Sequence, residues 1–366
     1  MKKIWWEQIK AVVRLEMKKT FFARRGLWIY FLALLPVFLF LAYHVAITHE
    51  DNRRASIARQ SDKPLTYANL LAIHPGMTKQ EVIASLGKPP VVLHWQEHRG
   101  GPGEASKTLR HDEYRYSDGE HDIFIGMVED TVDSIRMNES RDLGQESVVF
   151  AGVFQFFFLR LAVFFGCLGI FMNLFRGEIL DRSLHFYFLA PVRREILTAG
   201  KFLAGLLATC VIFVSSEALQ NLILFWNIPA SARDLYLYHN HGLEHAAAYL
   251  GITLLACIGY GSFFLVAGMF FKNPILPTAG ILIWEAANPF LPSILKQFSV
   301  IYYLKALCPV DIPIPPDTPP ILALLISNSD PISPVVAILG LLTVSLFAVY
   351  ISTLQVRRME INYTTE

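Results

Sequence analysis

Six long apolar runs, separated by polar segments, dominate the chain: Leu27 to Thr48, Val148 to Phe175, Phe202 to Trp226, His245 to Phe271, Pro274 to Leu295 and Pro334 to Leu354. A helix crosses a bilayer core with roughly 20 apolar residues, so each run is predicted to span. Only Lys272-Asn273-Pro274 separates the fourth run from the fifth, which predicts an antiparallel hairpin. The fifth run is the weakest, because Glu285, Asn288, Pro289 and Pro292 interrupt it. Within residues 1–26, KKIWWEQIKAVVRLEMKKTFFARR places Trp5, Ile9, Val12, Val13 and Met17 at helical spacing among lysines and arginines. That pattern predicts a helix lying in the membrane interface.

Composition points the same way. Of 366 residues, 53% are hydrophobic and 17% charged, and the mean hydropathy is +0.39. These values exclude an ordinary soluble domain and place the chain among multi-span membrane proteins. The net charge of +1 provides no field for nucleic acid. The first apolar run is too long for a signal peptide and follows a densely charged segment, so it is expected to stay as an anchor. Cys167, Cys210 and Cys257 fall inside apolar runs, and with Cys308 they form no CxxC pair, so all four read as small apolar side chains.

Positive charge sets the expected orientation. Lys2, Lys3, Lys10, Arg14, Lys18, Lys19, Arg24 and Arg25 precede the first run; Arg176, Arg182, Arg193, Arg194 and Lys201 follow the second; Arg357 and Arg358 lie in the tail, residues 355–366. With six spans all three groups share one side. Both termini are therefore expected in the cytoplasm, with residues 49–146, 227–244 and 296–333 outside.

The cytoplasmic segment 176–201 reads RGEILDRSLHFYFLAPVRREILTAGK. Leu180, Leu184, Tyr187 and Phe188 recur at helical spacing, and Pro191 then breaks the pattern before Arg193 and Arg194. A short amphipathic helix of this kind suits a groove on another protein. The segment resembles the coupling region of ABC-2 type transporter permeases. The residues that carry the likeness are Glu178, Arg182, Pro191, Arg193, Arg194, Glu195, Gly200 and Lys201. The resemblance implies a membrane subunit of an exporter in a bacterial inner membrane, paired with a second copy or a related permease. It also implies that a separate cytoplasmic ABC ATPase binds ATP and Mg and grips this segment. The chain itself has no GxxxxGK[ST], HExxH or GxSxG, so it is not expected to be an enzyme or to hold a cofactor or metal.

Ionisable groups inside apolar runs mark paths or partners. Arg160, Glu217 with Gln220 and Asn221 a turn on, and Glu285 with Asn288 on the same face are the candidates for a translocation path or an intramembrane polar pair. HNHGLEH, from His239 to His245, reads as a hydrated loop rather than a zinc site. Between Pro292 and Pro334, SILKQFSVIYYLKAL and CPVDIPIPPDTPP suit short helices that dip into the outer leaflet and return. ABC-2 permeases carry such re-entrant helices at this place.

The insert 49–146 is long enough for a small domain. Thr78 and Glu81 form a capping box for TKQEVIASLG; Val82, Ile83 and Leu86 give an apolar face, and Gly87 ends the helix. EYRYS, HDIFIGMV and TVDSIRM then read as three strands joined at Asp118-Gly119 and Glu129-Asp130. The expected fold is thus a six-span α-helical membrane protein with an interfacial helix and an inserted α+β domain of one helix on a three-stranded antiparallel meander. The run HPGMTKQEVIASLGKPP resembles the SmpA/OmlA (BamE-like) domain of envelope lipoproteins, which implies an envelope partner on the outer side. A membrane-anchored envelope scaffold that transports nothing is the alternative reading.

Overall fold

A computed structural model describes residues 2–22, 26–99, 107–139, 143–180, 187, 189, 192–226, 230–271, 273, 275–314, 318–319 and 332–358. The chain divides into two compact units, one of residues 1–41 and 143–366 and one of residues 42–142.

The first unit is helical. Helix α1 (Lys2–Phe22) is amphipathic, and α2 (Leu27–Gln60) begins here and continues into the second unit's residues. Next come α5 (Leu143–Val153), a π-helical stretch (Phe154–Val163) and α6 (Phe164–Leu180). They are followed by α7 (Arg194–Leu224), α8 (Ala230–His239) and α9 (Gly242–Phe270). Among the described residues, five helical segments are long and apolar enough to cross a membrane: Leu27–Gln60, Leu143–Glu178, Arg194–Leu224, Gly242–Phe270 and Pro334–Arg358, the last being α13.

The expected fifth span, 274–295, is not one helix. Helix α10 (Ile275–Ala287) has 13 residues. At 1.5 Å per residue that is about 20 Å, short of a hydrocarbon core of about 30 Å. A 3₁₀ turn (Asn288–Phe290), α11 (Ser293–Lys296) and α12 (Val300–Ala306) follow. Pro289 and Pro292 cannot donate to a continuing helix, which breaks the run where its sequence was weakest. The segment 176–201 is also shorter as a loop than expected, because α7 already starts at Arg194. Residues 181–186, 188, 190 and 191, which include Arg182 and Pro191, lie outside the described residues, as do Lys272 and Pro274 of the expected turn.

Helix α9 is the centre of the bundle and packs against α6, α7 and α13. Buried Phe150, Phe154 and Phe158 recur every four residues along one face, and Tyr249 of α9 meets the first two ring edge to ring face at 5.0 and 4.6 Å. Cys167 and Cys257 are buried and Cys210 and Cys308 half-buried, all four as free thiols.

The second unit carries a four-stranded antiparallel sheet in the order β1-β2-β3-β4: β1 (Val91–Arg99), β2 (Lys107–Ser117), β3 (His121–Val128) and β4 (Thr131–Glu139). The three-stranded expectation missed β1. It is an edge strand behind Pro89-Pro90, and its Leu93 and Trp95 are exposed, so no inward alternation showed in the sequence. Helices α3 (Tyr67–Leu71) and α4 (Lys79–Leu86) supply Leu70, Val82 and Leu86 to a core shared with Tyr114, Tyr116, Ile123, Ile125 and Met127. Thr78 caps α4: its Oγ1 accepts from the Glu81 N–H at 3.4 Å, and its own N–H donates to Glu81 Oε2 at 2.7 Å. Gly87 ends the helix at φ +85, where a side chain would be strained, and its carbonyl accepts from the Tyr116 hydroxyl at 2.9 Å.

The polar end of α2 belongs to this unit. Ile57 is buried, and Arg54 Nε lies 3.4 Å from Asp122, which also pairs with buried Arg115.

Candidate functional site

The coupling-segment residues gather at the start of α7. Lys201, two turns into that helix, is completely buried. Three acceptors surround its ammonium group: Glu16 Oε1 of α1 at 2.7 Å, Glu178 Oε2 of α6 at 2.8 Å and the Leu174 carbonyl at 2.8 Å. Lys201 thus donates to Glu16 and to the Leu174 carbonyl and forms an ion pair with Glu178, which offsets the cost of burying it. Lys19 of α1 closes the ring from outside, bonding Glu178 Oε1 at 3.0 Å and the Tyr187 hydroxyl at 2.8 Å. Tyr187 in turn donates to Glu16 Oε1 at 3.0 Å, and its ring lies 4.7 Å from the Lys201 ammonium. Burial, with the Glu16 and Glu178 carboxylates beside it, pushes the Tyr187 hydroxyl pKa well up, so the phenol remains a donor. Two lysines and two glutamates cancel, with Lys19 half-exposed at the rim and the other three buried.

Gly200 lets this happen. A Cβ there would sit 2.9 Å from Val12, so α1 approaches α7 closely only because the position is bare. The neighbouring residues tie the same end to α13 and to the start of α1. Arg194 donates to the Val356 and Arg357 carbonyls at 3.2 and 2.8 Å, filling acceptors left open at a helix C-terminus. Glu195 pairs with Arg357 at 2.6 Å. The Arg193 guanidinium lies 5.0 Å from the Trp5 ring.

The intramembrane candidates do not form one set. Glu285 and Arg160 line a common cavity of about 50 Å³ with Phe164, Tyr260, Leu282, Ala286 and Ile301. The Glu285 carboxylate, however, accepts from Ser299 Oγ at 2.9 Å and from the N–H groups of Val300 and Ile301 at 2.9 and 2.8 Å. It therefore satisfies the first amides of α12. Asn288 donates to the Lys296 carbonyl at 3.3 Å. Both residues fasten the broken segment that follows them. Glu217 stands apart, with Asn221 Nδ2 donating to its Oε1 at 2.8 Å. In the stretch 239–245, His241 pairs with Glu244 at 2.9 Å and His245 lies 3.3 Å from the Tyr236 hydroxyl.

Sequence reasoning missed Glu16 and Lys19. The signal was present for Glu16: it follows Val12 by four residues and Val13 by three, so it lies on the apolar stripe of α1, where an acid needs a cation. The chain matches no family model, no characterised protein and no solved structure.

Proposed function

We propose that the chain is the transmembrane subunit of an ABC-2 type exporter, with a separate cytoplasmic ATPase driving it through the segment 176–201. The observation that carries the reading is the buried Lys201 cluster. It joins the end of α6, the start of α7 and helix α1 into one unit beside the segment that resembles a coupling region. Force applied to Tyr187 or Arg193 would reach three helices together, whereas a plain positively charged loop needs no buried lysine. In this reading α10 to α12 complete a sixth crossing in broken form. Support comes from α12, which packs on α9 and α13, with Val300 against Gly259 and Tyr303 against Gly340. Both termini would then be cytoplasmic in a bacterial inner membrane, and the sheet unit would lie outside as a BamE-like module for an envelope partner. A second copy or paralogue would complete the path.

Pull-down from native membranes tests the reading. The wild type is expected to bring down a protein with nucleotide-binding motifs, and Arg193→Glu with Arg194→Glu to lose it. Recovery of envelope proteins alone through the sheet unit would favour the scaffold.

A further inference from the structure

A second polar site lies near the other end of α7, and the transport reading does not use it. Glu217 is fully buried about two turns before the helix ends. Its Oε1 accepts from Asn221, while its Oε2 is buried with no partner. Across the α7–α9 interface, Tyr249 is also buried, and its hydroxyl has no partner either. Phe150 and Phe154 fix the Tyr249 ring from one side, and Tyr249 stands near the start of α9, the helix that packs against α7, while Glu217 stands near the end of α7. Buried polar atoms in native proteins are nearly always bonded, to protein or to ordered water.

The identities of the two groups restrict what can fill the gap. A bare carboxylate only accepts, a carboxylic acid also donates, and a phenol does both. Among the described residues no lysine or arginine forms an ion pair with Glu217. Its surroundings supply neutral groups: Asn221 and Gln220 on α7, Tyr249 on α9, with Tyr236 of α8 and Cys308 near Tyr249. Helix α5, which packs on α7, carries one further acid, Glu146. Lys305 of α12 stands beside Cys308, but among the described residues no cation pairs with Glu217 as Lys201 pairs with Glu16 and Glu178.

We propose that Glu217 and Tyr249 form an internal proton- and water-binding site, in which the proton sits on Glu217 Oε2 and one water links it to the Tyr249 hydroxyl. The water then accepts from the acid and exchanges a hydrogen bond with the phenol, and both orphan atoms are satisfied. Loss of the proton would leave an acceptor-only carboxylate between two helices, so proton release is coupled to whatever opens the α7–α9 contact. The site holds whether or not the chain exports anything.

Infrared spectra of the full-length protein in lipid at neutral pH test this, comparing wild type, Glu217→Gln and Tyr249→Phe. The wild type is expected to show a carboxylic-acid C=O band that Glu217→Gln removes. Tyr249→Phe should keep the band and shift it upward, because the acid loses part of its hydrogen bonding. Glu217→Gln should also fold, since the amide is a neutral isostere of the acid. Loss of carboxylate bands instead, an acid band unmoved by Tyr249→Phe, or a Glu217→Gln protein that does not fold would each overturn the proposal.

Discussion

Lys201 is the residue on which the site depends most. Replacing it with Met leaves buried Glu16 and Glu178 with only the half-exposed Lys19 beside them, and breaking a buried pair this way costs about 3–5 kcal/mol. The denaturation midpoint of the purified protein is expected to fall accordingly. Adding Glu16→Gln and Glu178→Gln should restore much of the loss, since an uncharged set leaves no orphan charge. At Thr78 the expected effect is smaller. Thr78→Ala removes a helix cap, worth about 1 kcal/mol, and is read as a lower urea midpoint of the sheet unit. Acid should weaken the same unit. The Thr78 backbone N–H, then its hydroxyl, hold the Glu81 carboxyl below its ordinary 4.5. Burial pulls Asp118 upward, but the N–H groups of His121 and Glu120 outweigh it and leave it below its ordinary 3.8. Carboxyls with depressed folded values stabilise the fold above their unfolded values and lose that contribution as pH falls through the folded ones. Stability followed by NMR at Tyr114 and Tyr116 is thus expected to hold above about pH 4.5 and decline below it.

Among the elements, α10 to α12 depart most from a regular span. The Glu285 carboxylate holds the N-terminus of α12, and hydrogen bonds to a charged acceptor contribute about 1.5–3 kcal/mol. Glu285→Gln keeps one acceptor oxygen and loses the charge, so the Val300 and Ile301 amides are expected to exchange with solvent at least roughly tenfold faster. Unchanged exchange would mean that the cap is idle. Legibility differed between elements for physical reasons. Long apolar runs bounded by charge need no partner to be recognised, which is why α2, α7, α9 and α13 were visible; the run 274–295 read as a span too, despite its prolines and polar side chains, and only 13 of its residues form α10. The capping box at Thr78 and the turn at Glu129-Asp130, with φ 48 and 64, are local and could be read directly. Strand β1 could not, because an exposed edge hides its alternation. Nor could Arg54 with Asp122 or Glu16 with Lys201, whose partners are far apart in the chain and meet only after packing. Of the site, the residues near Lys201 were legible through their resemblance to a coupling segment, while the buried ring around it was not.

For the whole molecule, the proposed exporter function requires an ATPase partner to contact the segment between α6 and α7. Leu189 in that segment is 79% exposed, a large apolar side chain left mostly uncovered. The most direct measurement places a photocrosslinking amino acid at position 189 in native membranes and identifies the adduct by mass spectrometry. A protein carrying nucleotide-binding motifs is the predicted adduct, lost when Arg193 and Arg194 are reversed in charge. Adducts with lipid alone, or with proteins lacking those motifs, would contradict the account.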